Sequence, residues 1–220
     1  LTRASGEDVD TYAILQNTLS IDDGNGGKNY DLTFVGGELN ITKRLITLEA
    51  DAVSKTYGDT DPTLSVSITS GSLGTVTVSD TLADVTGTLS RQSGQDVGSY
   101  DIELGTGTKS SNYALTFETD NNAFVIDPRA ITLSAGNRTK TYGQSLTLGN
   151  TAFTVTSGST AFDESIDTVT LASTDNLAAD ISANADTYED NITLAGAQGS
   201  SGFKASNYAI EYLAGDLTID

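Results

Sequence analysis

The chain is built from internal repeats, and repeats constrain the architecture more than any other feature of a sequence. Four short anchors mark them. Lys-Thr-Tyr-Gly opens a repeat at 55–58 and again at 140–143. The other anchors are a tyrosine-ending segment at 7–12, 95–100 and 184–188, an Asn-Tyr pair at 29–30, 112–113 and 207–208, and a closing apolar pair at 39–41, 124–126 and 217–219. The chain is therefore the C-terminal half of one repeat (1–44) followed by two complete repeats (45–129 and 130–220).

The anchors lie in runs that alternate apolar and polar residues, which predicts strands with one buried face. Thr and other β-branched residues dominate these runs, as a pleated surface favours. The predicted strands are 12–15, 30–35, 39–42, 46–48, 64–69, 76–78, 99–104, 113–118, 124–126, 131–134, 153–156, 168–171, 191–194, 208–212 and 216–219. Single helical turns are predicted at 80–83 and 163–166, with Asp80 and Asp163 as N-caps. The fold class predicted is all-β.

One position departs from the repeat pattern. Ile192 and Leu194 fit the alternation seen in the second repeat, but Tyr188 comes two residues too early. A β-bulge at Glu189 and Asp190 would absorb this slip.

The joints between repeats are very short, at 41–45 and at 126–131. A flexible linker would leave neighbours independent, whereas these joints nearly fuse the last strand of one repeat to the first strand of the next. Pro128 stiffens the second joint. We therefore expect tandem repeat domains in an extended, rod-like array.

Composition and charge exclude several classes of function. The 220 residues include no Cys, His, Met or Trp, which excludes disulfides, thiol nucleophiles, His or Cys metal sites and a Ser-His-Asp triad. With 11 Lys and Arg against 30 Asp and Glu, the net charge is −19, which opposes binding to nucleic acid or to anionic membranes. No stretch approaches the roughly 20 apolar residues that span a bilayer. The opening Leu1-Thr2-Arg3 is expected to be the middle of a longer protein.

Acidic and glycine-rich segments are the candidate sites, and the simpler interpretation is favoured for each. With 30 acidic residues, carboxylate pairs for glycoside hydrolysis arise by chance and none stands out. Asp22, Asp23 and Asn25 resemble a calcium loop, but an ordinary turn is favoured, as it is for Asp59 and Asp61. Gly105-x-Gly107 follows a strand but opens no helix, so it does not predict a nucleotide site. No catalytic, cofactor or metal residue is predicted.

The recurring lysines and tyrosines carry two further predictions. Lys55 and Lys140 are expected to pack their stems along the sheet with the ammonium reaching solvent, in preference to a covalent cross-link to an Asn or Asp side chain. The tyrosines of the Asn-Tyr anchors are expected to pack in the core with the hydroxyl at its rim, in preference to forming sugar-stacking platforms.

Three segments resemble a known family. Lys-Thr-Tyr-Gly-Asp-x-Asp-Pro at 55–62 resembles the opening of the MBG (mostly-β-grasp) repeats of large bacterial surface adhesins, 1–14 resembles the middle of such a repeat, and 29–42 resembles its end. The third repeat is similar but looser, with Gln144-Ser145-Leu146 in place of the acidic Asp-Pro segment. The resemblance implies a β-grasp-like fold, secretion to the bacterial cell surface, and no catalytic residues.

The function expected is therefore a structural stalk or spacer in an extracellular adhesin, without enzymatic activity. The alternative is a module that binds polysaccharide or protein in a biofilm matrix. Expected partners are the flanking repeats and, for the alternative, extracellular polysaccharide or other surface components, with no nucleic acid, membrane insertion or cofactor. Residues 1–44 lack the opening strands of a repeat, so we expect this part to be the least stable or to be completed by another molecule.

Overall fold

A computed structural model describes residues 1–74 and 79–220. Within those ranges strands dominate the regular structure, so the protein is all-β, with one short α-helix, α1 (Leu82–Thr86). The strands are β1 (Thr2–Arg3), β2 (Thr11–Leu15), β3 (Glu38–Asn40), β4 (Arg44–Ala50), β5 (Val53–Thr56), β6 (Val66–Gly71), β7 (Ser90–Arg91), β8 (Gly98–Tyr100), β9 (Ile102–Glu103), β10 (Tyr113–Phe117), β11 (Phe124–Asp127), β12 (Arg129–Ala135), β13 (Arg138–Lys140), β14 (Phe153–Gly158), β15 (Ser165–Ser173), β16 (Asp186–Ser200), β17 (Tyr208–Leu213) and β18 (Gly215–Ile219). Short 3-10 turns lie at Ser110–Asn112, Thr174–Asn176 and Ala205–Asn207.

The chain folds into two compact units that are offset from the sequence repeats. The first compact unit contains Leu1–Asp51, Leu64–Gln92 and Asp101–Ala123. The second contains Ala52–Thr63, Ser93–Tyr100 and Phe124–Asp220. The repeat boundaries at 44/45 and 129/130 remain a prediction about the sequence, whereas the units describe where the chain packs.

The first compact unit contains two three-stranded sheets and one strand pair. Strand β4 is the centre of the sheet β6-β4-β10, antiparallel to β6 and parallel to β10. The sheet β1-β2-β3 is antiparallel throughout, and β7 pairs antiparallel with β9. Alternation along β4 directs Ile46 and Leu48 into the core, where they meet Val85 of α1 and Tyr113 of β10.

Helix α1 has a complete N-terminal cap. The Thr81 side chain accepts a hydrogen bond from the Asp84 N–H, and the Asp84 carboxylate accepts one from the Thr81 N–H. Such a capping box satisfies two backbone donors that a helix start leaves without partners. The helical turn predicted at 80–83 is therefore present two residues later, at Leu82–Thr86, and the prediction of Asp80 as its N-cap is wrong because the cap is Thr81.

The second compact unit repeats this topology. Strand β12 is the centre of the sheet β14-β12-β17, antiparallel to β14 and parallel to β17, as β4 is between β6 and β10. The sheets β5-β11-β8 and β13-β18-β16-β15 share a second pattern. In each, the closing strand (β11 or β18) runs parallel to the strand with the recurring lysine (β5 or β13) and antiparallel to the strand with the recurring tyrosine (β8 or β16). The core of the unit is centred on Leu133, Ile192 and Leu217, all fully buried. Only Pro128 separates β11 from β12, as the short joint predicts.

Most predicted strands are confirmed, and so is the bulge. The register of β16 against β18 shifts between Tyr188 and Ile192, and Asp190 adopts a positive φ of 51°. Strands β1, β5, β7 and β13 were not predicted, and the strand predicted over 99–104 is split into β8 and β9. The strand predicted at 76–78 lies outside the described residues.

Two predicted elements are wrong. Residues 30–35 form no strand. Their counterparts β10 and β17 pair with the first strand of their own repeats, and residues 1–44 contain no equivalent of that partner. Residues 163–166 form no helical turn, because Phe162 and Asp163 adopt positive φ values in a tight turn that leads directly into β15.

Candidate functional site

The candidate site is a contact between the middle of one predicted sequence repeat and the later part of the next. It occurs once within each compact unit, with the same residue types. The two copies are described in turn below, and the contacts that recur in both are the ones we assign to the site.

The first copy links Asp8 and Val9 to residues that precede β10. The Asn112 side chain accepts a hydrogen bond from the Val9 N–H at 2.9 Å and donates one to the Asp8 carboxylate at 2.7 Å. The Lys109 ammonium lies 3.8 Å from the same carboxylate. We call this arrangement of Asp, Val, Lys and Asn the junction clamp.

The second copy uses Asp96, Val97, Lys204 and Asn207. The Asn207 side chain accepts from the Val97 N–H at 2.9 Å and donates to the Asp96 carboxylate at 2.9 Å. The Lys204 ammonium lies 2.6 Å from Asp96, so hydrogen bonds from Lys204 and then Asn207 lower the pKa of that carboxyl group. Asn207 is only 1% exposed, although the ion pair beside it lies at the surface.

Local structure holds both halves of the clamp in place. The 3-10 turns Ser110–Asn112 and Ala205–Asn207 end on the clamp asparagine, directly before β10 and β17. On the other side, the hydroxyl groups of Tyr12 and Tyr100 donate to the backbone carbonyls of Asp8 and Asp96, at 2.9 and 2.7 Å. Each tyrosine therefore fixes the loop that presents the clamp carboxylate.

A buried tyrosine–carboxylate cluster lies beside the clamp in the second compact unit. Tyr57 and Tyr208 both donate hydrogen bonds to Glu164, the first at 2.6 Å, and the Ala161 N–H donates to the Tyr208 hydroxyl at 2.9 Å. The rings of Tyr57 and Phe162 meet edge to face with centroids 5.4 Å apart. Burial, and then the neighbouring carboxylate, raises the pKa of Tyr57 to about 12, and burial raises that of Tyr208 to about 12.

Arg129 closes this cluster over the backbone of the Tyr-Gly anchor. Its guanidinium donates to the Tyr57 carbonyl and to the Asp59 carboxylate, both at 3.1 Å. Gly58 between them has φ +87°, and a Cβ at this position would lie 2.4 Å from the Cβ of Ala161. The glycine is thus required both by its backbone conformation and by the close approach of its neighbour.

The first compact unit contains the corresponding tyrosine–carboxylate pair. The Tyr113 hydroxyl donates to the Asp80 carboxylate and accepts from the Gly74 N–H at 2.9 Å. Burial and the adjacent Asp80 raise the pKa of Tyr113. Asp80 therefore serves as a hydrogen-bond acceptor for the core tyrosine.

The chemistry of these clusters is that of an interface. Among the described residues, every buried side-chain nitrogen and oxygen has a hydrogen-bond partner. The donors and acceptors of the clamp and the tyrosine cluster are directed at one another. They join segments of two predicted repeats by complementary hydrogen bonds.

The calcium candidates are placed as turns. The Asp23 carboxylate accepts from the N–H groups of Gly27 and Asn25, which lowers its pKa. Asp59 pairs with Arg129 and Asp61 pairs with a lysine. In residues 1–74 and 79–220 no cluster of three acidic side chains suited to a metal ion occurs.

The two recurring lysines are buried, so the prediction that their ammonium groups reach solvent is wrong. Lys55 lies 2.7 Å from the Asp61 carboxylate and donates to the Asp59 carbonyl and the Gln95 side chain. Lys140 donates instead to three backbone carbonyls, those of residues 177, 178 and 180. These partners replace water around each charge, which is what burial of an ammonium group requires.

The tyrosines of the Asn-Tyr anchors differ in burial. Tyr113 and Tyr208 are buried, at 4% and 6% exposure, which confirms core packing for both. Tyr30 is 60% exposed, so the prediction fails there. The cause is again that residues 1–44 lack the first strand against which this tyrosine would pack.

Sequence reasoning found the Asn-Tyr anchors but assigned no role to the asparagine, and it missed Glu164. The available signal was the recurrence of Lys-x-x-Asn-Tyr at 109–113 and 204–208 together with the Asp-Val pairs at 8–9 and 96–97. These segments are more than 100 residues apart in the chain, and their pairing becomes evident only in the fold.

The site lies in an all-β protein and joins segments that are more than 100 residues apart in the chain. Residues 46–124 match the family model described as MBG domain (YGX type), which confirms the resemblance to MBG repeats over this segment. The matched segment includes the Tyr57-Gly58 pair and the Asn112-Tyr113 pair. Searches of curated proteins and of solved structures find no significant match. None of the helical residues described here forms a segment long and apolar enough to cross a membrane.

Proposed function

We propose that this chain is a structural spacer segment of a bacterial extracellular adhesin, without catalytic activity. In this proposal, β-grasp-like repeats dock end to end in an extended, semi-rigid array that holds a terminal binding region away from the cell surface. The segment would act outside the cell, as the MBG match over residues 46–124 favours.

The observation that carries the proposal is the recurrence of the junction clamp. At Asn112 and at Asn207 the side-chain amide accepts from a Val N–H and donates to an Asp carboxylate, in two separate compact units. A flexible connection needs no such contacts, whereas an oriented connection needs directional hydrogen bonds between neighbours. The net charge of −19 fits this role, because it opposes the collapse of one acidic repeat onto another.

The spacer function can be tested by measuring shape and stiffness in solution. A globular chain of 220 residues has a radius of gyration of about 17 Å, and we expect small-angle scattering to give a clearly larger value. Because the chain has no Cys, spin labels can be introduced by Thr18→Cys and Ala195→Cys, both at exposed positions. We expect a narrow distance distribution that does not change when salt shortens the Debye length to about 3 Å.

A compact radius of gyration, or a broad distribution of label distances, would contradict the spacer function. The Asn112→Ala and Asn207→Ala variants provide the internal control, because each removes one clamp without changing the charge. We expect each to broaden the distribution. The competing function is that of a binding module. A titration with cell-surface polysaccharide in which the NMR signals of one repeat shift would support the binding module instead.

A further inference from the structure

We propose that the surface around Tyr142 is a docking surface for one more repeat of the same kind. We call it the terminal surface and define it by Tyr142, Gly143, Gln144, Asn184 and Ala185. This inference rests on the proposed spacer function and adds the position and chemistry of a further junction.

The terminal surface is built on the same framework as the covered surface around Tyr57. The Tyr57 N–H donates to the carbonyl of Asp127, and the Tyr142 N–H donates to the carbonyl of Asp220 at 2.6 Å. In both cases the preceding lysine strand lies parallel to a closing strand, β5 with β11 and β13 with β18. Asp220 therefore stands where Asp127 stands.

The two tyrosines differ in their exposure to solvent. Tyr57 is 4% exposed because Phe162, Tyr208 and Glu164 pack on it, whereas Tyr142 is 58% exposed. Because segments of the following repeat cover the equivalent tyrosine, Tyr57, a repeat of this kind is the occupant that fits around Tyr142.

The glycine after each tyrosine also indicates that a repeat fits on the terminal surface. Gly58 and Gly143 have φ values of +87° and +83°, so both retain the left-handed conformation. A Cβ at Gly58 would collide with Ala161, while a Cβ at Gly143 would meet no atom within 4 Å. The terminal surface keeps the space into which a residue equivalent to Ala161 would fit.

The other half of the terminal surface is a clamp loop without its asparagine partner. Asn184 and Ala185 occupy the positions of Asp96 and Val97, four and three residues before the recurring tyrosine. The Tyr188 hydroxyl donates to the Asn184 carbonyl at 3.1 Å, as Tyr100 does to Asp96. Asn184 and Ala185 are both exposed, and their amide oxygen and backbone N–H can receive an incoming Asn side chain.

The occupant that fits is a repeat with an Asn-Tyr pair preceding a strand and a buried carboxylate beside that tyrosine. We call the contacts around Tyr57 and Asp96 the inner junction. The terminal surface differs from the inner junction in having amides, since Gln144 replaces Asp59 and Asn184 replaces Asp96. The terminal surface therefore offers neutral acceptors where the inner junction offers carboxylates to Arg129 and Lys204. Docking there should depend little on salt.

The test uses the full chain extended after Asp220 by a second copy of residues 128–220, which restores the sequence of the inner joint. Hydroxyl-radical labelling of Tyr142 and amide exchange over 141–144 and 184–188 report whether the terminal surface is covered. We expect amide exchange there to slow by about tenfold or more relative to the 220-residue chain, because burial removes local opening.

The matched control carries Asn207→Ala and Tyr208→Ala in the appended copy only. Loss of the protection in this control supports the inference. Equal protection in the control, or no protection in the extended chain, overturns it. Protection in the unextended chain that increases with concentration would identify a second copy as the occupant and would also overturn it.

A second variant tests the chemistry of the surface. Gln144→Asp with Asn184→Asp recreates the inner carboxylates, and we expect added protection of Tyr142 that disappears at high salt. An unchanged salt response would contradict the assigned role of the amides. None of these results depends on the shape of the 220-residue chain, so failure here is distinguishable from failure of the spacer function.

Discussion

Asn207 is the residue on which the second junction depends most, because one side-chain amide satisfies two groups. Its oxygen accepts from the Val97 N–H and its nitrogen donates to Asp96, and the side chain is almost fully buried. Neither a shorter polar residue nor an apolar one can make both contacts. The recurrence of Asn at 112 has the same cause.

We predict that Asn207→Ala lowers the free energy of unfolding by about 1–3 kcal/mol, since it leaves a buried N–H without an acceptor. Denaturant titration measures this loss. The matched control is Asn29→Ala, at the same anchor in the incomplete repeat but exposed to solvent, and it should change stability by less than about 0.5 kcal/mol. Equal losses in both variants would show that the clamp contributes nothing specific.

The buried tyrosines predict how stability depends on alkaline pH. The pKa values of Tyr57 and Tyr208 rise from 10.0 to about 12 on folding. A raised pKa favours the protonated form in the folded state, so its contribution is complete below pH 10 and is lost as the pH rises towards 12. Unfolding free energy should therefore fall over this range.

The Tyr57→Phe variant should show a shallower fall above pH 10, because one of the two hydroxyl groups is gone. Tyr142→Phe removes a hydroxyl from the exposed counterpart and should leave the slope of the wild type. Denaturant titrations at pH 9, 10, 11 and about 12 give the slopes. Identical slopes in all three proteins would contradict the assignment of the alkaline transition to the buried cluster.

At the scale of elements, the sequence predicted strands well where a repeat is complete. The period-two runs at 113–118 and 208–212 became β10 and β17, but the equivalent run at 30–35 did not. The residues of the three runs are similar, so local propensity cannot explain the difference. A strand forms only where a neighbour completes its hydrogen bonds, and that neighbour is set by topology.

The candidate site was less predictable than the strands for the same reason. The anchors identified Asn112 and Asn207 as recurring residues, but each contacts a loop more than 100 positions earlier. Glu164 lies in a segment predicted to be a helical turn, and only the tight turn at 162–163 directs it towards Tyr57 and Tyr208. Such long-range pairings leave no periodic signal in the sequence.

The side chain of Asn121 hydrogen-bonds to the backbone of strand β9 in the way that a neighbouring strand would, and this contact gives a further prediction. Its amide accepts from the Ile102 N–H at 3.0 Å and donates to the Ile102 carbonyl at 2.9 Å. Ile102 is fully buried, so Asn121→Ala should leave the Ile102 N–H and carbonyl without their side-chain partner and cost about 2–4 kcal/mol. Denaturation of the first compact unit measures this.

Two variants test that interpretation. Asp120→Ala, at the exposed neighbouring position, should cost less than about 0.5 kcal/mol. Asn121→Asp keeps an acceptor for the N–H but loses the donor to the carbonyl, so it should fall between the two. If Asn121→Ala were no worse than Asp120→Ala, the side chain would not be completing the strand.

At the scale of the whole molecule, basic residues are scarce, and three of them lie at contacts between predicted repeats. Of the 11 Lys and Arg residues, Lys109, Lys204 and Arg129 each contact a carboxylate at a junction. Exposed ion pairs contribute little individually. Their effect here is to offset, locally, the repulsion that a net charge of −19 creates between neighbouring acidic surfaces.

The incomplete repeat gives the last prediction, because it shares strand pairing with the later repeats but not their burial. Tyr12 lies opposite Leu39 in the β2–β3 pair, as Tyr100 lies opposite Phe124 in the β8–β11 pair. Leu39 is 41% exposed, whereas Phe124 is fully buried. Residues 1–43 contain no buried side chain at all.

Burying one large apolar side chain contributes about 1.5–3 kcal/mol, and each 1.4 kcal/mol changes an equilibrium about tenfold. The amides of β2 and β3 should therefore exchange with solvent about ten to a hundred times faster than those of β8 and β11. Hydrogen exchange in the 220-residue chain, at a concentration low enough to keep it monomeric, makes the comparison directly. Equal protection of the two strand pairs would show that residues 1–44 are stabilised by contacts other than burial, and protection that grows with concentration would show that another molecule completes them.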